Sequence, residues 1–239
     1  GSNADVGAFE YGATVWSAGI DWTPKFKRAV WKTDASSTDW HTAKNWSTGN
    51  VPTADVHVLI PTGASNYPTI TGSNATCNNL TIYPSASMTL NSSYTLTISG
   101  DFKNMGATLT IEKTGNATVG GNFSNSGTVT LNSDSNEFSS LIVQGTSSGN
   151  IIYNRYVNSL SNGSGWDLIG SPVNGLQISS FASTNDSPLA TGNGSGAGAS
   201  GEYAIGVFNS SSNSWSNYTT ANVSTTQFTP GKGYQMATD

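Results

Sequence analysis

Two stretches of this chain nearly repeat. Ile98-Ser99-Gly100-Asp101-Phe102-Lys103-Asn104-Met105-Gly106 is followed 21 residues later by Val119-Gly120-Gly121-Asn122-Phe123-Ser124-Asn125-Ser126-Gly127. Carried outward with single-residue slips, this period predicts three apolar columns. The first is Ile60, Ile82, Phe102, Phe123 and Val143. The second is Ile70, Leu90, Ile111, Leu131 and Ile151, and the third is Cys77, Ile98, Val119 and Phe138. Each step holds three short apolar–polar alternations separated by Gly, Asn and Ser. That is the pattern of a parallel β-helix, whose strands bury nothing alone and form a core only by stacking. At about 4.8 Å per coil each column becomes a continuous ladder. The alternating residues Thr81, Thr95, Thr97, Thr110, Thr118 and Thr130 then face solvent, where a β-branched hydroxyl suits a strand. An antiparallel sandwich with evenly spaced hairpins is the competing architecture, but its columns would not persist through a Greek key. The crossovers are expected to be right-handed.

Composition narrows the function classes. Only 10% of the 239 residues are charged, against a usual ~25%. The net charge of −5 offers no basic stripe to displace counterions, so nucleic acid is not an expected partner. Seven Trp and nine Tyr need burial or a ligand and argue against disorder. The single cysteine, Cys77, excludes an intrachain disulfide. It falls in an inward column and reads as a small buried hydrophobe. No run of 18 apolar residues marks a membrane-spanning helix. The opening Gly1-Ser2-Asn3-Ala4 reads as the remnant of a cleaved tag, and the ends suggest a piece of a longer protein.

Three segments follow in order. Residues 1–51 are a tag remnant and an aromatic-rich N-terminal cap, holding Trp16, Trp22, Trp31, Trp40 and Trp46 beside Lys25, Lys27, Arg28, Lys32 and Lys44. Strands are expected at Phe9 to Val15 and at Ala29 to Lys32, with one helical turn between Thr38 and Trp46 begun near Asp39. A first coil needs cover, so the cap reading is preferred to a basic–aromatic binding surface. Residues 52–151 form the β-solenoid. Residues 152–239 break the period and form a small β-sandwich-like module, in which Thr191 to Gly201 reads as a mobile loop and Gly231-Lys232-Gly233 as a tight turn into the last strand.

The residue pattern offers little for catalysis. His41 and His57 fit no zinc-ligand spacing, and His57 alternates outward between Val56 and Val58. Asp101 falls over Asn122, Glu112 over Asn132 and Lys103 over Ser124, so carboxylates do not stack as a polysaccharide lyase would need. Asp134 and Glu137 share one loop instead of facing each other across a cleft. With Asn132 they offer a weak calcium possibility, and no other cofactor is expected.

Trp31, Ser37-Thr38-Asp39-Trp40, Asn45-Trp46-Ser47, Gly49, Val51-Pro52 and Val56-His57-Val58-Leu59-Ile60-Pro61 resemble the opening of β-helical, adhesin-like surface proteins secreted by Bacteroidetes-type bacteria. The chain departs from that pattern in carrying His57 and Leu59 inside the strand. Gly165-Trp166 through Ser171-Pro172-Val173, Asn213-Ser214-Trp215 and Phe228-Thr229-Pro230-Gly231-Lys232-Gly233-Tyr234 are similar to the compact β-module near the end of such proteins. The resemblance implies a non-catalytic structural or adhesive module of a secreted cell-surface protein that binds glycans or cell-surface components. A polysaccharide-active enzyme, lyase or glycosidase, using the solenoid groove is the alternative. Trp215 and Tyr218 are the candidate ligand-binding residues, placed after the polar turn Asn209-Ser210-Ser211-Ser212-Asn213. The other reading makes Trp215 the buried anchor of a β-sandwich, which is where Trp is commonest.

Overall fold

The computed structural model describes residues 27–159, 165–171, 175–184, 202–219 and 221–238. The sequence expectations for Trp16, Trp22, the Phe9–Val15 strand and the Thr191–Gly201 loop lie outside these residues. The chain divides into two compact units between Arg155 and Tyr156.

The first unit is a parallel β-solenoid of three sheets. One sheet contains β1 (Lys27–Val30), β2 (Val56–Ile60), β5 (Leu80–Ile82), β8 (Phe102–Asn104), β11 (Phe123–Asn125) and β14 (Ser147–Ser148). A second contains β3 (Thr69–Ile70), β6 (Ser87–Leu90), β9 (Thr108–Ile111), β12 (Thr128–Leu131) and β15 (Ile152–Tyr153). The third contains β4 (Ala75–Cys77), β7 (Thr95–Ile98), β10 (Asn116–Val119) and β13 (Ser140–Val143). Strands of two to five residues are too short to fold singly. Each gains its backbone partners from the coils before and after it. Apolar residues alternate inward along every central strand and form one core from Ala29 to Leu131.

Register confirms two predicted columns along most of their length and corrects the other. Ile70, Leu90, Ile111 and Leu131 stack in order, but the ladder ends on Tyr153 instead of Ile151. Cys77, Ile98 and Val119 stack, and Val143 follows them. Phe138, expected there, is exposed in a small hairpin closed by an antiparallel Ser133–Phe138 bridge, and the Arg155 guanidinium lies 3.6 Å above its ring. The first column divides in two. Val58, Leu80, Phe102 and Phe123 form one ladder, while Ile60 and Ile82 run into Asn104 and Asn125. The Phe102 and Phe123 rings stack with centroids 5.0 Å apart.

The buried asparagines make the corner between the first two sheets. Asn104 Oδ1 accepts hydrogen bonds from the Gly106 and Ala107 amides, at 3.2 and 2.7 Å. Its Nδ2 donates to Ala107 O at 3.0 Å and to Asn125 Oδ1 at 2.8 Å. Asn125 repeats the device, accepting from Gly127 N at 3.1 Å and donating to Asn150 O. The side chain thus turns its own corner and ties it to the next. Gly106 adopts φ +116°, which other residues avoid. A Cβ on Gly127 would lie 2.6 Å from Ala107 N and run into the Ala107 carbonyl oxygen, so only glycine lets these corners stack.

Below the regular coils, β1 pairs with β2 in parallel and Asp39 bridges Thr69. The described part of the cap is therefore an irregular first coil hydrogen-bonded into the same sheets. Three buried indoles fill it. Trp46 meets Trp31 and Trp40 edge-on, at 5.0 and 4.7 Å between centroids. Trp46 Nε1 donates to Trp40 O at 2.8 Å, and Trp31 Nε1 to Asn66 O at 2.6 Å. The fully buried Asn45 donates to Ser37 O and Asp39 O and accepts from Ser36 N. The expected helical turn is a single 3-10 turn at Ala43–Asn45, with the Asp39 carboxylate accepting from His41 N and Thr42 Oγ1 just before it.

The second unit holds a four-stranded antiparallel sheet in the order β16 (Asp167–Gly170), β19 (Gly233–Met236), β17 (Glu202–Asn209), β18 (Ser214–Thr219). One face is covered by the short helix α1 (Ile178–Thr184) and the segment around Phe228. Phe228 lies between Phe181 and Tyr234, at 5.3 and 5.0 Å. Tyr234 Oη accepts from Thr229 N, closing the tight turn that leads into β19.

Three expectations follow for the solenoid. In urea unfolding, Phe123→Ala should lose about 3–5 kcal/mol by opening a cavity in the ladder. Asn104→Ala should lose about 1–3 kcal/mol by orphaning the Ala107 amide. Cys77 is fully buried, and burial alone pushes its thiol up to about 12. It should resist a thiol-specific reagent at pH 7 to 9 in the native protein and label at once in denaturant. Rapid native labelling would contradict its inward placement.

Candidate functional site

The open face of the second unit's sheet collects the features a ligand surface needs. Residues paired across an antiparallel sheet share a face, and alternate residues along a strand do too. Phe208 pairs with Trp215, Gly206 with Asn217 and with Gln235, Leu168 with Gln235, and Gly170 with Gly233. All lie on the side away from α1. Ile169, Ile205, Val207, Tyr218, Tyr234 and Met236 point the other way, into the core.

Three large apolar side chains are exposed on that open side: Leu168 at 71%, Phe208 at 49% and Trp215 at 41%. Phe208 and Trp215 meet edge-on with centroids 5.4 Å apart, so each holds the other upright. Trp166 packs on the buried Ala204 and Ala237 toward the far end of the same face. Between the aromatic groups, Gln235 Nε2 donates to Asn217 Oδ1 at 2.8 Å. This bond crosses β17 at Gly206. A Cβ there would come within 2.5 Å of Asn217 Oδ1 and 3.0 Å of Gln235 Nε2. The glycine is therefore the floor that lets the two amides meet. The face offers aromatic edges and planes beside the half-buried Asn217 amide, with Gln235 buried beneath it, and no ionised side chain at these positions.

The reading of Trp215 as a buried anchor is overturned, because the hairpin β17–β18 carries it outward. Tyr218 does not join it. Three residues apart on one strand, the two side chains point to opposite faces. Tyr218 is half-buried against the core, and burial, followed by the neighbouring Tyr234, raises its phenol above the usual range. Phe208, Asn217, Gln235 and Leu168 escaped the sequence reading. The signal was available in outline: a polar turn at 209–213 between two runs implies a hairpin, and the hairpin places Phe208 opposite Trp215.

The other candidates have structural partners. Lys113 Nζ pairs with Glu137 at 3.1 Å and with Asp134, filling with an ammonium the place considered for calcium. The Asp134 bond raises the Lys113 ammonium above its ordinary value, and the same bond holds Asp134 below its own. Asp101 Oδ1 accepts from Asn122 N at 2.7 Å, and Glu112 Oε2 from Asn132 at 3.1 Å, as corner caps between coils. His41 Nε2 lies 2.9 Å from Ser73 O, and His57 is half-buried on the outward side of β2. Among the described residues no three His, Cys, Asp or Glu side chains gather as metal ligands. Among the same residues no helix is long and apolar enough to cross a membrane.

Residues 30–142, under half of the chain, match the family described as Domain of unknown function (DUF8693). The stretch lies wholly in the first unit and spans the tryptophan-filled coil and most of the solenoid. Neither the curated proteins nor the solved structures searched gave a match.

Trp215→Ala should leave the melting temperature within a few degrees of the parent, because the ring gives up little beyond its contact with Phe208. Tyr234→Ala, which empties the centre of the covered face, should lose about 3–5 kcal/mol. Unfolding of the second unit by Trp215→Ala, followed by near-ultraviolet circular dichroism, would return Trp215 to the core.

Proposed function

We propose that this chain is a non-catalytic structural and adhesive module of a secreted cell-surface protein, of the adhesin-like kind its tryptophan and turn motifs resemble. The solenoid acts as a stiff spacer, and the second unit presents a neutral glycan-binding face. The observation that carries this reading is the exposed Leu168–Phe208–Trp215 group around the Asn217–Gln235 amide pair. An exposed apolar patch rimmed by polar groups costs solubility and marks an interaction surface. Aromatic rings suit the C–H faces of sugars, and neutral amides exchange hydrogen bonds with hydroxyls without a desolvated charge.

A glycan array on the whole chain, run with and without calcium, tests this. Binding to neutral glycans that is independent of calcium, and is lost in Phe208→Ala/Trp215→Ala with the fold intact, is the expected outcome. Undiminished binding by the folded double variant would move the ligand elsewhere. Silence across neutral glycans would remove the glycan from the proposal.

A further inference from the structure

The outer face of the second solenoid sheet is a two-column lattice of hydroxyls. One column is Thr69, Thr89, Thr110 and Thr130 on successive coils, and Ile152 continues it, 50% exposed. The other column is Ser87, Thr108 and Thr128, each two residues before a member of the first. Each central strand therefore displays a hydroxyl–x–hydroxyl pair: Ser87 and Thr89, Thr108 and Thr110, Thr128 and Thr130. No ionised side chain occupies either column.

Three physical properties set this face apart from solvated strand surface. The residues are repeated rigidly: coil stacking spaces the rows by about 4.8 Å, and a strand spaces i and i+2 by about 6.6–6.8 Å. The β-branched side chains are stiff at χ1, so the hydroxyl and methyl positions repeat with the backbone. The hydroxyls are also unspent, since none of these seven side chains makes a hydrogen bond to another described residue. The neighbouring sheet repeats only one such column, Thr76, Thr97 and Thr118, which runs into the exposed Ile142. Its second column, Thr95, Asn116 and Ser140, changes residue at every coil, and Ser140 Oγ donates to Asn116 Oδ1 at 2.6 Å.

A flat, uncharged, rigid array of alternating methyls and free hydroxyls fits a ligand that is itself a two-dimensional lattice of hydrogen-bonding oxygens. The two spacings come close to the oxygen repeats on a prism face of ice. We infer that the Thr89–Thr110–Thr130 face binds ice, separately from the glycan face of the second unit.

The test is ice-crystal habit and thermal hysteresis of the whole chain in a nanolitre osmometer, together with its partition into a slowly growing ice hemisphere. The parent should facet the crystal and enter the ice. Thr110→Tyr and Thr130→Tyr, which raise a bulky ring from the lattice on outward positions, should each lose both effects with unchanged circular dichroism. Thr97→Tyr, in the single threonine column of the neighbouring sheet, should keep them, because that column has no second hydroxyl column beside it. Unfaceted discs and exclusion of the parent from ice would overturn the inference. So would full activity in either folded Tyr variant of the lattice, or equal loss in Thr97→Tyr.

Discussion

Register between coils is the constraint from which the rest of the solenoid follows. Parallel strands exchange every hydrogen bond with the coils above and below, so a residue's neighbours are fixed by how many residues the corner beneath it contains. The corners therefore decide the core. The Asn104–Asn125 pair holds one corner at constant length by satisfying the turn amides from inside the coil. On adjoining corners the device is inverted. Asn79 Oδ1 accepts from Asp101 N at 2.9 Å, Asp101 from Asn122 N, and Asn122 from Thr146 N, each side chain reaching up one coil from outside. A chain with few charges can stack this tightly because amides and short carboxylates cap amide groups without needing counterions.

The same constraint explains which parts of the fold were legible in the sequence. In the second sheet the inward residues Ile70, Leu90, Ile111 and Leu131 step by 20, 21 and 20, so a fixed period finds them. In the first sheet Val58, Leu80, Phe102 and Phe123 step by 22, 22 and 21. A period of about 20 then slides Ile82 into the place of Leu80, two positions along and still inward-facing, so alternation raises no objection. The Ser133–Phe138 hairpin lengthens the last coil, and the step from Val119 to Val143 becomes 24. That insertion drew Phe138 into a column it does not occupy. The buried asparagines were hidden for another reason. A polar residue at an inward position breaks the binary pattern, and only its turn amides reveal why it belongs there.

The open face of the second unit was harder to read, and for a different reason. In a solenoid, neighbours are found by adding a period. In an antiparallel sheet they depend on turn lengths and on strand order, which here brings β19 between β16 and β17. Trp215 could be picked out as conspicuous, but its partners Phe208, Asn217 and Gln235 come from three separate strands. Pairing Trp215 with Tyr218 respected closeness in sequence and ignored alternation, which puts the two on opposite sides of one strand.

Gly206 brings these arguments together. In a strand interior a glycine lowers stability and leaves nothing to pack. On the covered face it would leave a hole against α1, but its place is on the open side, where the Asn217–Gln235 bond passes over it. A side chain there would give the hairpin more strand propensity and would separate the amides. A Cβ there would also come within 2.8 Å of the Ser216 carbonyl oxygen, so the glycine serves both the close pairing of β17 with β18 and the polar floor between Leu168 and the Phe208–Trp215 pair. The solenoid's Gly127 is the simpler case: its missing side chain is demanded by the backbone of the coil beneath and by no surface amide pair. Glycines that look alike in a turn-rich sequence therefore separate, once register is known, into those that let coils stack and those that let a hairpin pair closely beneath a polar surface.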